Sequence, residues 1–196
     1  MQKKWKDEEE DARSLGFKQK YFSQLSGKVL EIGPGAGTNF KYFPKEIHWI
    51  GIEPNEVINQ ELIKEAQRQG LTNIEIKNSQ AEQLPLESDS CDAVIATFVL
   101  CSVLDQKKVL AEIFRVLKPG GRYLFIEHVA APRGSLLRLY QNAANPFHRL
   151  YAGNCNINRE TAKYIQATGF KNVSITEGKE KLFLLPWPHI WGVAEK

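Results

Sequence analysis

Val29-Leu30-Glu31-Ile32-Gly33-Pro34-Gly35-Ala36-Gly37-Thr38-Asn39-Phe40 is the stretch on which the reading of this chain turns. An apolar run too short for a helix meets three glycines at alternate positions, and a helix-compatible segment follows. Glycine lacks a Cβ, so the backbone there can turn sharply and approach a ligand closely. If a helix starts just beyond, its first N–H groups face outward with no partner of their own. The pattern predicts a strand, a cradle for a nucleotide-like ligand, and a helix.

The glycine spacing narrows the ligand. A dinucleotide fingerprint reads G-x-G-x-x-G and sets a pyrophosphate on the helix N-terminus. Here the spacing is G-x-G-x-G, and Glu31 stands two residues before the first glycine. A carboxylate there repels a pyrophosphate and suits a cationic ligand. S-adenosylmethionine carries an ammonium and a sulfonium and no phosphate. The segment resembles motif I of the class I S-adenosylmethionine-dependent methyltransferases. A glycine-rich turn without a ligand is the plain alternative.

On either side of this stretch the chain reads as alternating strands and helices. At 196 residues, 42% of them apolar and 25% charged, it fits one ordinary globular domain over 1–196, with a helical segment over 1–26 that includes Trp5. Strands are expected at Val29 to Ile32, His48 to Ile52, Ile74 to Lys77, Ala93 to Thr97, Arg122 to Glu127, Asn172 to Ile175 and Ile190 to Ala194. Helices are expected from Thr38 to Tyr42, from an Asn55 cap to Gln69 with Gly70 as its stop, from Asp105 to about Leu117, and from Thr161 to Thr168. Alternation of this kind gives an α/β, doubly wound, mostly parallel seven-stranded sheet. The resemblance adds that the last strand runs antiparallel, as in Rossmann-like methyltransferase folds. Residues 129–158 break the alternation. They mix Leu136, Leu139, Tyr140, Phe147, Leu150 and Tyr151 with Arg133, Arg138 and Arg149, a composition suited to a lid on the substrate side.

In an open α/β sheet the ligand lies outside the carboxyl ends of the strands, at the switch point. Glu53 ends the second strand at the offset from the glycine loop where an acid can take two ribose hydroxyls; a solvated acid is the alternative. Pro54 and Asn55 follow it. The resemblance extends to Ser79-Gln80-Ala81-Glu82-Gln83-Leu84-Pro85, the segment that covers adenine, where Gln80 takes the place of the usual acid. It also implies that Thr97 and Phe98 line the methionine side, and that Gly33, Pro34, Gly35, Gly37 and Asn39 belong to the cofactor loop with Glu31. Leu117-Lys118-Pro119-Gly120-Gly121 is a further family segment, a helix stop and tight turn. Asn145-Pro146-Phe147-His148 resembles the N-P-P-Y motif of amino-methyltransferases, but it lies beyond the fifth strand and that reading is rejected.

A narrower resemblance rests on Val99-Leu100-Cys101-Ser102-Val103, Glu127-His128-Val129-Ala130-Ala131, Cys155-Asn156 with Arg159-Glu160, and Pro188-His189-Ile190-Trp191-Gly192. These look like the alkyl thiol S-methyltransferase subfamily. That implies S-adenosyl-L-methionine as cofactor, S-adenosyl-L-homocysteine as product, and a small apolar thiol as acceptor. A free alkyl thiol has a pKa of about 8.5, so a minor thiolate fraction exists at neutral pH and only a modest base is needed. His128 is the first candidate; a histidine that merely hydrogen-bonds a loop carbonyl is the alternative. Tyr21, Cys101, Cys155 and Asn156 are candidate pocket residues, with a buried structural cysteine the alternative for Cys155. A C- or O-methyltransferase acting on a quinone, phenol or lipid would carry the same cofactor segments. A non-catalytic S-adenosylmethionine-binding domain is the alternative from another class.

The remaining features set boundaries. A net charge of +3 argues against an electrostatically driven nucleic-acid partner. Three cysteines, Cys91, Cys101 and Cys155, are odd in number and lack metal-ligand spacing, so free thiols in a reducing, cytoplasmic compartment and no metal are expected. The longest apolar run, Ala93 to Leu104, is too short to span a bilayer, and Met1-Gln2-Lys3-Lys4 does not open a signal peptide. The animal members of the subfamily carry an N-terminal apolar anchor that this sequence lacks. The expectation is a monomer without a transmembrane anchor, with peripheral membrane contact left open through 129–158.

Overall fold

The computed structural model describes residues 12–182 and 185–196. The helix expected over the first ten residues, with Trp5, lies outside them. In chain order the elements are α1 (Ala12–Phe22), β1 (Lys28–Ile32), a 3₁₀ turn (Phe40–Tyr42), β2 (His48–Ile52), α2 (Glu56–Arg68), β3 (Ile74–Lys77) and β4 (Cys91–Thr97). Then come α3 (Gln106–Val116), β5 (Leu117–His128), α4 (Leu136–Tyr151), α5 (Thr161–Ala167), β6 (Lys171–Leu182) and β7 (Leu185–Glu195). The seven-stranded sheet has the order β3-β2-β1-β4-β5-β7-β6. Strands β1 to β5 are parallel neighbours, while β7 lies antiparallel between β5 and β6. The expected doubly wound sheet with an antiparallel last strand is what forms, and its order reverses between β1 and β4.

Both faces of the sheet are covered, and the two-residue period of a strand decides which side chain goes where. Leu30, Ile32, Ile50, Ile52, Val94, Ala96, Tyr123 and Phe125 point toward α3 and α5, where they meet Val109, Leu110, Ile113 and Ile165. Val29, Trp49, Ala93, Ile95, Leu124 and Ile126 point the other way, toward Phe17, Phe22, Phe40, Leu62 and Ala66. Glu31 shares the parity of Val29 and Trp49. It is therefore carried into an apolar layer, and that placement governs its chemistry.

Local signals hold well at the caps. Asn55 Oδ1 accepts from Val57 N and opens α2, and Gly70 closes it with a φ of +75°. Asp105 accepts from the N–H groups of Lys107 and Lys108 and opens α3. Three expectations need correction. The short helix expected from Thr38 to Tyr42 forms only as the 3₁₀ helix Phe40–Tyr42, preceded by turns, because Gly37 sits at positive φ and Pro44 follows soon after. Helix α3 stops at Val116 and passes straight into β5, three residues ahead of Pro119. Strands β6 and β7 are far longer than expected, because each satisfies the other in an antiparallel pair and neither needs an apolar run.

The sequence 129–158, expected as an irregular insertion, contains the sixteen-residue helix α4. Its polarity is reversed. Gln141 is buried, donating to Val129 O and accepting from Ala131 N. Asn145 Oδ1 accepts from Ile157 N, and His148 Nδ1 lies 3.1 Å from Cys155 O. Leu136, Phe147, Leu150 and Tyr151 are 84%, 70%, 74% and 80% exposed, so the apolar stripe faces outward. A surface helix ordinarily does the opposite. Here specific polar contacts join a small apolar contact, Ala144 and Tyr140 against the Trp187 cluster, in holding the helix to the body.

Candidate active site

The crevice lies where β1 and β4 part, outside their carboxyl ends. Gly33 N donates to Ile52 O at 2.9 Å, fixing the loop to β2. A Cβ at Gly33 would come within 2.8 Å of Val99 Cγ2, so glycine is required for close packing as well as for its φ of +61°. Gly35, at φ +54°, has nothing within 4 Å of where its Cβ would stand, so its backbone borders open space.

Glu31 supports this loop from behind. Its Oε1 accepts from Asn39 Nδ2 at 2.7 Å and its Oε2 from Trp49 Nε1 at 2.9 Å. The Trp49 indole lies over Gly51, the register partner of Glu31 on β2, where any Cβ would collide with it. Burial pushes the Glu31 carboxyl above the usual carboxylate range, and these two donors only partly offset that. Glu31 was expected as a carboxylate suited to a cationic ligand. The structure instead buries it completely, with both oxygens engaged, because its strand parity places it under the second layer.

Asn39, itself buried, links Glu31 to the end of β4. Its Nδ2 also donates to Thr97 Oγ1 at 3.0 Å, while its buried Oδ1 has no hydrogen-bond partner among the described residues. An orphaned buried acceptor is costly unless something donates to it. Across the loop, Glu53 is buried; Oε1 accepts from Asn55 N, and no hydrogen bond engages Oε2 among the described residues. A loop with open space at Gly35, an unmet acceptor at Asn39 and a carboxylate at Glu53 fit a ligand with an ammonium at one end and a ribose at the other. S-adenosylmethionine has both.

The adenine-side candidates separate. Ala81 is buried in the core cluster with Leu84, Gln80 is exposed, and Pro54 is exposed beside the α2 cap. Glu82 is turned away to another task, since its Oε1 accepts from Leu104 N at 2.8 Å and anchors the start of α3.

On the acceptor side, Phe98 takes a φ of +56°, unusual for a bulky residue, and its ring lies 4.4 Å from that of His128. The following segment, residues 99–103, is held by side chains in addition to its own turn and the Asn156 N to Cys101 O bond. The N–H groups of Val99, Leu100 and Cys101 all donate to the Glu127 carboxylate, at 3.0, 2.9 and 3.2 Å. Gln106 and Arg159 donate to Leu100 O, Arg159 also to Val103 O, and Asn156 to Cys101 O. Burial drives the Glu127 carboxyl well above its usual range, opposed by the three backbone donors. Burial also lowers the Arg159 guanidinium below its ordinary value.

This clamp brings Cys101, His128 and Cys155 together, with one sulfur or nitrogen of each inside a 4.8 Å span. Cys155 Sγ is 3.8 Å from His128 Nδ1. The Cys101 thiol is pushed up by its contact with Cys155 and by burial, so it stays protonated at neutral pH. Asn156 is tied to the group through its hydrogen bond to Cys101 O. Tyr21 does not: it packs against Phe17 at 4.7 Å and lines a separate cleft of about 190 Å³ with Trp191. A larger cleft of about 570 Å³ lies beyond the clamp, between Asp105, Arg133, Arg159 and Tyr164, away from the glycine loop. Glu127, Trp49 and Arg159 went unassigned as site residues in the sequence. Glu127 and Arg159 stood in segments quoted for the family resemblance but were given no role; Glu127 could have been found as an acid closing the apolar run Tyr123 to Ile126, while Trp49 left no local sign.

Comparison with known proteins agrees with this geometry. A methyltransferase domain family matches residues 30–125. The chain is 36% identical over 180 residues to human thiol S-methyltransferase TMT1A, covering 89% of this chain and 74% of that protein. It is 30% identical over 188 residues to the demethylmenaquinone methyltransferase of Lactobacillus johnsonii, covering 83% and 77%. The crystal structure of YcgJ from Bacillus subtilis superposes with a TM-score of 0.74 at 20% identity, over 94% of this chain and 98% of that one, which shows a shared fold. The chain belongs to the S-adenosylmethionine-dependent methyltransferases, within the family that includes thiol S-methyltransferase TMT1A.

Proposed function

We propose that this enzyme methylates the sulfur of small, apolar thiols. One observation carries the reading: a histidine and two cysteines gather beside Phe98, next to the β1–β4 crevice, in a chain 36% identical to a thiol S-methyltransferase. When bound, the cofactor supplies a methyl group on an electron-poor sulfonium. The chain's own part is to hold, align and dry. The Gly33, Pro34, Gly35 and Gly37 loop shapes the pocket, and Asn39 Oδ1 receives the ammonium. Glu53 takes the ribose hydroxyls with Pro54 and Asn55 as its wall, Gln80 and Ala81 border adenine with Glu82 behind them, and Thr97 and Phe98 line the methionine side.

In this reading His128 takes the proton of the acceptor thiol; its ring contact with Phe98 and its 3.8 Å approach to Cys155 Sγ support that role. Alignment of acceptor and methyl supplies most of the remaining rate, and exclusion of water favours a reaction that neutralises charge. Incubation with labelled S-adenosylmethionine and a panel of thiols, phenols and quinones tests this directly. Transfer to thiols alone is expected; transfer to quinones alone would replace the reading with ring methylation, which the 30% identity to a demethylmenaquinone methyltransferase favours as second choice.

Among the described residues no helix is long and apolar enough to cross a membrane. Residues 129–158 contain three arginines and no acid, and α4 turns Leu136, Phe147, Leu150 and Tyr151 outward. That combination suits the interface of an anionic bilayer, from which apolar acceptors could reach the clamp. Free, buried thiols at Cys91, Cys101 and Cys155 suit the cytoplasm. The net charge of +3 gives no reason to add a nucleic-acid partner, and a monomer in a single domain is sufficient for every residue assigned.

A further inference from the structure

Cys101, His128 and Cys155 come from three separate elements, the loop after β4, the end of β5 and the loop after α4. Their potential ligand atoms lie within 4.8 Å of one another, and no disulfide joins the sulfurs. A tetrahedral zinc site with bonds of ~2.3 Å to sulfur and ~2.0 Å to nitrogen has edges of about 3.5 Å between sulfur and nitrogen and about 3.8 Å between two sulfurs. The Cys155 Sγ to His128 Nδ1 separation of 3.8 Å is within about 0.3 Å of the sulfur–nitrogen edge. The longest edge needs to close by roughly 1 Å.

The surroundings suit a closed pocket with one open side. Cys101 and Cys155 are buried with Ile157 and Trp187, and His128 is half-buried against Phe98, toward the strand ends. No carboxylate stands among the three candidate ligands, and Glu127 is already committed to three backbone N–H groups. Ligands of two sulfurs and one imidazole select a borderline-soft ion over calcium or magnesium. Three protein ligands, rather than four, leave a position for a substrate atom.

We propose that Cys101 Sγ, Cys155 Sγ and His128 Nδ1 bind one Zn²⁺ ion, whose fourth position receives the sulfur of the acceptor thiol. Two cysteine protons leave for solvent as the ion binds, and two thiolates with a neutral imidazole balance its two charges. A thiol entering the fourth position gives its own proton to water, since a metal-bound thiol is held as thiolate at neutral pH. The ion thus does for the acceptor what an imidazole base would do, and His128 serves as a ligand instead. The second half of this proposal rests on the thiol reading above; the binding of the ion does not.

The test begins without any acceptor. Reduced protein is titrated with Zn²⁺ against a chromophoric chelator and, separately, with Co²⁺ while its absorption spectrum is recorded. One ion per chain is expected, with intense thiolate-to-cobalt bands. Those bands should persist in Cys91→Ser and vanish in the Cys101→Ser, Cys155→Ser double variant. Because the wild-type cobalt spectrum is diagnostic alone, a double variant that misfolds does not leave the question open. Absence of metal from the wild type, or oxidation to a Cys101–Cys155 disulfide under conditions that keep other thiols reduced, overturns the site. Methylation of a model thiol is then compared before and after chelator treatment. A loss of about tenfold or more, restored by Zn²⁺, is expected. Full activity in stripped protein would remove the ion from acceptor binding while leaving thiol methylation intact. Metal binding with no thiol methylated under any condition would sink the acceptor role and spare the site.

Discussion

Cys155 Sγ and His128 Nδ1 lie 3.8 Å apart although 27 residues separate them, and both face the segment clamped by Glu127. Both proposed roles of His128, base or ligand, carry the same expectation for turnover and leave cofactor binding aside. His128→Ala is expected to lower kcat toward a thiol by about 10²-fold. Calorimetric affinity for S-adenosylhomocysteine should stay within about twofold of wild type. Unchanged turnover would remove His128 from the reaction.

Gly35 offers a cleaner probe of the cofactor loop than Gly33. A Cβ at Gly33 collides with Val99, so its loss of binding would be confounded by misfolding. At Gly35 nothing stands within 4 Å, and the added methyl projects into the crevice. Gly35→Ala should cost about 1–2 kcal/mol of stability from its positive φ. Cofactor affinity should fall by at least about tenfold. Wild-type affinity in a folded variant would show that the ligand does not approach this backbone.

The Glu127 clamp predicts a destabilisation concentrated in one segment. Glu127→Gln replaces an acceptor oxygen with an amide nitrogen facing backbone N–H groups, leaving at least one buried donor unmet. A loss of about 3 kcal/mol in chemical denaturation is expected. Hydrogen exchange should rise first at Val99, Leu100 and Cys101; uniform exchange across the chain would contradict a local clamp.

Glu31 makes the stability depend on pH in an unusual sense. Its folded pKa is raised above the ordinary 4.5, so the folded state holds its proton where the unfolded state has released it. That contribution is complete below about 4.5 and is lost as pH rises through the folded value. Glu112, lowered by hydrogen bonding to Arg115, acts oppositely and loses its contribution as pH falls. Glu31→Gln has no proton to lose. It is less stable than wild type at low pH, and the gap should narrow as pH rises from 4.5 toward neutrality. A gap that widens with pH would show that Glu31 is stabilised as a carboxylate.

The outward stripe of α4 predicts binding to vesicles containing anionic lipid, measured by co-sedimentation. Phe147→Asp with Leu150→Asp should abolish it and leave melting unchanged, since both side chains are exposed. Equal sedimentation of the variant would assign the contact elsewhere.

The legible parts of this fold were those written locally. β2 and β3, the Asn55 and Asp105 caps and the Gly70 stop each depend on a few adjacent residues, and each stands where the pattern puts it. Glu31 stood out in the sequence as an acid beside the glycines, but its burial did not. Its burial follows from its parity with Trp49, which comes into reach only once β1 and β2 pair in register. The gathering of Cys101, His128 and Cys155 depends on three loops closing over one another, and no spacing rule in the chain encodes that. Helix α4 was hidden for another reason: its apolar positions do recur at helical spacing, but mixed with three arginines and Pro146 they read as irregular.

Because α4 keeps its hydrogen bonds inward, its exterior and its anchorage are separate ledgers. Residues such as Leu136, Phe147 and Leu150 can change in size, charge or greasiness without disturbing Gln141, Asn145 or His148, which hold the helix in place. Such a helix is free to diversify on one side while the scaffold beneath stays fixed. Relatives built this way could exchange one habitat or acceptor for another through a handful of surface substitutions.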